Sequence, residues 1–301
     1  MSGNDGLVYI VLINYNGFDD TIDCVESIRG NKYKNYKIVI VDNHSTDDSQ
    51  EKLKDTYSAS SDVILILSDA NLGFSGGNNL GIKRAIEDKA DYVMLLNNDT
   101  IIDERCIERL VSKSKQHEDS AFITGKILYY YEPKKIWFAG GEYEAHKGSG
   151  RHFGVGEIDR GQFNEEKELS FVCGCLVLMS RKCVESVGLM PEEYFLYGED
   201  TAYSLEVTRK GLKIFYEPEA VIYHKVSAST SKISNLTGYY VIRNRLYIIK
   251  KYNQGISKQT AYVSTTLHVI KGIVKGKYKV QTMRKAYADV RKGSMGRVER
   301  G

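Results

Sequence analysis

A chain of 301 residues, 42% hydrophobic and 27% charged, can bury a large core, which excludes a disordered polymer and permits one large domain or two small ones. The five cysteines (Cys24, Cys106, Cys173, Cys175 and Cys183) are odd in number and contain no pair of CxxC units, so neither a disulfide framework nor a zinc site is indicated and a reducing cytoplasm is expected. The net charge of +3 conceals an asymmetry: residues 225–301 hold 17 Lys and Arg against Asp289 and Glu299, so a tail of net +15 follows a body of net −12, which points to an anionic partner at the tail.

The start, Met1 to Gly6, is polar and not basic and is not expected to be a signal peptide. No apolar run approaches the ~20 residues of a membrane span. Leu7 to Ile13 is a continuous apolar run, as for a parallel strand covered on both faces. A helix is predicted over Asp20 to Arg29, with Ile22, Val25 and Ile28 on one face. Tyr36 to Val41 is a second strand, followed by a helix capped by Ser45 or Thr46 with Asp47 and Asp48 in its first turn. Asp62 to Leu67 is a third strand, the Gly/Asn-rich loop Asn71 to Gly77 leads into a helix to about Glu87, and Tyr92 to Leu96 is a fourth strand. The helix of Asp103 to Gln116 places Ile107, Leu110 and Val111 on one side. This alternation predicts a parallel sheet with right-handed crossovers.

After Ala121 to Leu128 the pattern loosens, and residues 129–168 read as loops and short strands. Leu169 to Met179 is predicted as one strand, with Cys173 and Cys175 as small core residues. A short helix, Arg181 to Val187, stops at Gly188, and another spans Asp200 to Lys210. Strands Lys213 to Tyr216 and Ala220 to Tyr223 follow, and then helices over 235–253, 257–275 and 279–292.

Several polar residues fall at strand ends, where open α/β sheets bind ligands. Asp42 ends the second strand and is either a contact for a base or ribose or a turn acid. The loop Asn71-Leu72-Gly73-Phe74-Ser75-Gly76-Gly77 could bring backbone amides to a phosphate, or be a plain glycine turn. Asp99, in Asn97-Asn98-Asp99-Thr100, offers hard oxygens suited to Mg2+ or Mn2+ on a diphosphate. Asp200 starts a helix and could accept a proton from a hydroxyl or simply favour the helix dipole. His224 ends a strand and could be an imidazole ligand.

The order and spacing of these stretches resemble family 2 inverting glycosyltransferases of the GT-A fold, and most closely the bacterial rhamnosyltransferase-like members, from Val8 to about Asn253. The stretches that carry the resemblance are Val11 to Gly17, Val41 to Asp47, Asn71 to Gly81, Leu95 to Thr100, Phe195 to Asp200 and Tyr223 to Lys225; Gly293-Ser294-Met295-Gly296 resembles the ending of such proteins. The resemblance implies an α/β, Rossmann-like fold: a mostly parallel central sheet flanked by helices, with a C-terminal helical extension. The expected division is a catalytic domain over 1–234, with a nucleotide-sugar half to about 128 and an acceptor half over 129–234, then a basic helical region over 235–301.

Residue by residue, the resemblance implies that Ile13, Asn14 and Tyr15 line a nucleobase pocket and that Asp42 contacts the base. Asn71, Gly73 and Asn79 would lie near the ribose and diphosphate. Asn97-Asn98-Asp99 occupies the position of the family's DxD motif, with Asn97 in place of its first acid. Asp99 and His224 would hold Mn2+ or Mg2+, Asp200 would be the general base, and Glu199 would support it or orient the acceptor. The expected partners are a pyrimidine-nucleotide sugar, dTDP-rhamnose or a UDP-sugar, and a saccharide or lipid-linked saccharide acceptor in bacterial surface polysaccharide synthesis.

Val263, Leu267, Ile270 and Val274 form an apolar stripe in a lysine-rich stretch, so residues 257–292 suit peripheral contact with the inner face of the cell membrane, or packing on the body or on a second subunit of a homodimer. No nucleic-acid motif accompanies this charge. Two other readings compete. A sugar-activating nucleotidyltransferase needs a glycine-rich basic loop after the first strand, which Asn14-Tyr15-Asn16-Gly17 does not supply. A catalytically silent sugar-nucleotide or membrane-surface binder would have no turnover to lose on Asp200→Asn.

Overall fold

The computed structural model describes residues 5–118, 121–226 and 235–298. Four apolar strands, β1 (Val8–Asn14), β2 (Tyr36–Asp42), β3 (Val63–Leu67) and β4 (Tyr92–Asn97), pair in parallel in the order β3-β2-β1-β4. Helices α1 (Phe18–Arg29), α2 (Ser49–Tyr57) and α3 (Gly73–Glu87) make the crossovers. Alternate residues of β1 serve opposite layers. Val8, Ile10 and Leu12 pack with Cys24, Val25 and Ile28 of α1, whereas Tyr9 and Val11 pack with Ile82 and Ala85 of α3. Burial on both faces removes any need for polar alternation, hence the continuous apolar runs.

The strand order reverses at β1. Its last residues lie opposite the ends of both neighbours: Asn14 faces Asp42 and Ile13 faces Asn97. Polar ends of three strands therefore meet at one switch point.

Beyond β4 the sheet becomes mixed. β5 (Thr100–Ile102) precedes α4 (Cys106–Gln116), and β6 (Ala121–Tyr129) and β7 (Ile136–Phe138) follow. β8 (Gly141–Glu144) and β9 (Ser149–His152) form a separate hairpin, and β10 (Lys167–Leu169) leads to β11 (Leu176–Ser180). Helices α5 (Arg181–Val187) and α6 (Glu199–Arg209) precede β12 (Lys213–His224). β11 lies antiparallel between β4 and β6 because no helical crossover leads into it.

Five expectations are corrected. The strand expected over 169–179 is only Leu176–Ser180 in β11; residues 171–175 are buried with a single bridge from Phe171 to Gly141 rather than a ladder, and Lys167–Leu169 pairs instead with β12. The two strands expected over 213–223 are one strand whose register shifts between Glu217 and Val221, where Pro218 cannot donate to a ladder. Thr100–Ile102 pairs with β12, so the next helix starts at Cys106 rather than Asp103. The first helix begins at Phe18 rather than Asp20. The second begins only at Ser49; Ser45 and Thr46 bond to Asp42 and Asn16 instead of capping it.

Helices α7 (Asn235–Tyr252), α8 (Gly255–Val274) and α9 (Val280–Lys292) pack through Tyr240, Ile242, Leu246, Val269, Met283, Ala286 and Val290, with Phe195, Leu196 and Tyr197 against this cluster. Among the described residues no helix is long and apolar enough to cross a membrane. All five cysteines are buried and none forms a disulfide.

Candidate active site

The ends of β1 and β2 are tied by side chains. Asn14 Nδ2 donates to Asp42 Oδ2 at 2.7 Å, and Thr21 Oγ1 donates to Asn14 Oδ1 at 3.0 Å. Asp42, fully buried, also accepts from Ser45 Oγ, the Ser45 amide and Gln50 Nε2. Four donors fill the lone-pair positions of a carboxylate. Asp42 thus holds the loop over 43–46 rather than presenting free acceptors. The groups open to a ligand here are half-buried Ile13 and exposed Tyr15.

The loop before α3 is braced by Asn43, which accepts from the Leu72 amide at 3.0 Å and donates to the Gly73 carbonyl at 3.0 Å. Asn71 Oδ1 accepts from the Gly73 amide, and the Phe74 amide donates to the Phe195 carbonyl at 2.9 Å. These two amides, expected to approach a phosphate, are therefore already engaged. Gly73 has φ +74°, and a Cβ there would collide with the Phe195 carbonyl, so only glycine lets the loops meet. Asn79 is buried and exchanges hydrogen bonds with the Met190 backbone while donating to Glu192. Its amide braces the 190–192 segment.

At the end of β4, Asn98 Nδ2 donates to Thr21 Oγ1 at 2.9 Å and steadies the β1–α1 turn. Asn97 is half-buried, and its amide donates to the Cys175 carbonyl. Asp99 comes next. Pairing of Thr100 with His224 brings Asp99 Oδ1 within 3.1 Å of His224 Nε2, and both side chains are nearly buried. His224 Nδ1 is buried without a hydrogen-bond partner, and its ring stands edge-on to Trp137 at 4.8 Å. Two ligands of one octahedral ion with bonds of ~2.1 Å sit about 3 Å apart, so this carboxylate and imidazole fit Mn2+ or Mg2+. Among the described residues no third His, Cys, Asp or Glu joins them, and Mg2+-type ions commonly take substrate phosphate oxygens as further ligands.

The acid pair sits across the turn. Gly174 approaches Asp200, whose Cβ is 3.7 Å from where a Gly174 Cβ would stand, and Cys175 binds Asn97. The approach to α6 runs through left-handed backbone at Phe195, Tyr197 and Gly198 (φ +63°, +66° and +87°). Asp200 Oδ1 accepts from the Thr201 amide at 2.6 Å, and burial raises its pKa. Glu199 is buried, its Oε2 has no partner, and burial, reinforced by the Asp200 charge, pushes its pKa up to about 8. Near neutral pH burial therefore favours the protonated form of Glu199 and opposes a second charge in the pair.

Residues of α7 hold this loop in place. Asn244 Nδ2 lies 2.9 Å from the carbonyl oxygens of Tyr194 and Leu196 and 2.5 Å from that of Tyr197. Arg243, fully buried, donates to the Tyr194 carbonyl at 2.9 Å and to Asn244 Oδ1. Neither was singled out from the sequence. The signal was there: an Arg-Asn pair inside the apolar stretch Tyr239 to Ile249.

The glycosyl transferase family 2 model matches residues 9–188. The chain belongs to this family. A dTDP-rhamnosyl transferase of Shigella flexneri, RfbF, is 24% identical over 92% of each chain. The low-salt glycan biosynthesis hexosyltransferase Agl10 of Haloferax volcanii is 24% identical over 68% of this chain and 62% of its own. Among solved structures, GalNAc-T7 with UDP, GalNAc and Mn2+ superimposes with a TM-score of 0.67 at 14% identity, over 83% of this chain and about half (48%) of that one. The mannosyltransferase PcManGT of Pyrobaculum calidifontis, with GDP-Man and Mn2+, gives 0.59 at 12% identity over 95% and 86%. The fold is GT-A, and this glycosyltransferase carries its acids, asparagines and imidazole at one end of the sheet.

Proposed function

We propose that this glycosyltransferase moves a sugar, with inversion, from dTDP-rhamnose or a UDP-sugar to a hydroxyl of a saccharide or lipid-linked saccharide in bacterial surface polysaccharide synthesis. The observation that carries the mechanism is the buried acid pair Glu199 and Asp200 at the start of α6, in which burial pushes the Glu199 pKa up to about 8 and raises that of Asp200. The donor class is supported by the similarity to RfbF along nearly the whole chain. Asp200 removes the acceptor hydroxyl proton, the freed oxygen bonds to the anomeric carbon, and the bond from that carbon to the diphosphate breaks on the opposite face. Glu199, protonated, keeps a second negative charge away from the base. Tyr15 and Ile13 border the base, while Asn97 and Asn98 shape the floor beside the diphosphate. A bound Mn2+ or Mg2+, held by Asp99 and His224, would supply positive charge to the leaving diphosphate.

In this reading residues 1–234 form the catalytic domain and the helices after it form a membrane-facing region on the cytoplasmic leaflet. Val263, Leu267, Ile270 and Val274 are exposed rather than packed on the body, in keeping with that role. The test is product stereochemistry. With dTDP-rhamnose or UDP-sugars and Mn2+, NMR of the product should show an anomeric configuration opposite to the donor's, and Asp200→Asn should abolish turnover but not nucleotide binding. Retained configuration, or full turnover by Asp200→Asn, rejects the mechanism.

A further inference from the structure

The ending Gly293-Ser294-Met295-Gly296-Arg297 has no part in the mechanism above, yet it returns to the site. Its backbone is pinned on both sides of Arg297. The Gly296 amide donates to the Glu193 carbonyl at 2.7 Å, the Gly296 carbonyl accepts from Arg243 Nη1 at 2.7 Å, and the Val298 amide donates to Tyr240 Oη at 2.9 Å. Between these anchors the Arg297 side chain is exposed. Its Nη1 is 3.5 Å from the Asn71 carbonyl, and its guanidinium lies 5.8 Å from the Phe195 ring centre. No described carboxylate lies within ion-pair distance of it.

The charge balance shows what this cation can do. A nucleotide sugar brings a diphosphate into a site that already contains Asp42, Asp99 and Asp200. The loops over 14–17, 42–46, 71–77, 97–100, 195–200 and 224–225 contain one Lys or Arg between them, Lys225. Lys225 is spent on Asp20 and Asp23, at 2.8 and 2.7 Å. The first amides of α3 are engaged by Asn71 and Phe195, and the first turn of that helix has no acidic side chain. Beside Asn71–Gly73, Arg297 is the Lys or Arg side chain that can meet a phosphate without first breaking an ion pair among the described residues, adding to the charge that a bound metal would supply.

We propose that Arg297 is a donor-binding residue whose guanidinium takes the diphosphate of the nucleotide sugar, an inference that rests on the glycosyltransferase reading above. The planar fork of Arg suits two phosphate oxygens, whereas Lys provides only a point charge. The experiment uses the full chain with Mn2+, titrated calorimetrically with dTDP, UDP and GDP and with the matching monophosphates. For the preferred nucleotide, Arg297→Ala should weaken diphosphate binding by about tenfold or more. It should change monophosphate binding by less than about twofold, and Arg297→Lys should fall in between. The melting temperature should not move, because the side chain is exposed and the anchors are backbone groups. Diphosphate binding unchanged in Arg297→Ala overturns the inference while leaving the glycosyltransferase reading intact. Equal loss of mono- and diphosphate binding also overturns it, since the tail would then merely shape the site. A wild-type protein that binds none of these diphosphates overturns both.

Discussion

Glu199→Gln should make the protein more stable at high pH and flatten its stability against pH. Glutamine fills the same volume but cannot ionise. In the folded chain Glu199 has its pKa pushed from 4.5 up to about 8, with burial the leading cause and the neighbouring Asp200 charge second. The sign follows from where the proton resides. Below pH 4.5 both folded and unfolded chains hold it, and there is no penalty. Between 4.5 and 8 the unfolded chain gives up the proton while the folded chain keeps it, so folding weakens by about 1.4 kcal/mol per pH unit. Above 8 both states are ionised and the loss is complete, on the order of 5 kcal/mol as an upper figure. Urea denaturation at pH 5, 7 and 9 measures this directly, with the difference between wild type and Glu199→Gln as the readout. The gap should widen with pH in favour of the variant. Parallel curves for the two proteins would show that Glu199 is ionised at neutral pH and would refute the single-charge account of the acid pair.

Two further outcomes test the rest of the site. Asp99→Ala and His224→Ala should each remove the Mn2+ dependence of nucleotide binding, measured by calorimetry with and without the ion. The loss should reach at least the roughly 10–100-fold typical of a metal site's outer partners. Asn244→Ala removes the side-chain donor to the Leu196 and Tyr197 carbonyls, while Arg243 still holds that of Tyr194, which should cost about 2–3 kcal/mol in urea denaturation. It should lower kcat more than it raises the donor KM; equal changes in both would mean that Asn244 does not position Asp200.

The half of the fold built from local pattern was legible in the sequence. β1 to β4 read as apolar runs, and Arg181–Val187 was placed residue for residue, its end marked by Gly188; the structure adds Ser180 as its cap. Asp99, His224, Glu199 and Asp200 stood out in the sequence because each sits at an element end, and the structure places Asp99 beside His224 and Glu199 and Asp200 at the start of α6. What escaped depends on pairing across the chain. Cys173 and Cys175 read as part of a strand because burial produces an apolar run whether or not a ladder forms. The partners that hold Asp42 and Asn79, among them Gln50, Ser45, Met190 and Glu192, leave no mark on the segments around those two residues. Arg243 and Asn244 were missed because their partners are the backbone carbonyls of a loop some fifty residues away, which leave no mark on a side-chain pattern.

Those two residues change what the C-terminal helices are for. Left-handed backbone at non-glycine residues, as at Phe195 and Tyr197, costs about 1–3 kcal/mol each and persists only where the surroundings impose it. Here the surroundings are the Phe74 amide on one side and Asn244 with Arg243 on the other. Arg243 in turn sits with its guanidinium 4.9 Å from the Tyr240 ring centre and hydrogen-bonded to Gly296, so the buried cation that holds the loop also holds the tail. An unpaired buried charge is far more costly than any one of these contacts. The loop, α7 and the segment around Gly296 therefore satisfy one another's polar groups, and the geometry that aims Asp200 is set as much by the basic C-terminal residues as by the α/β sheet that precedes them.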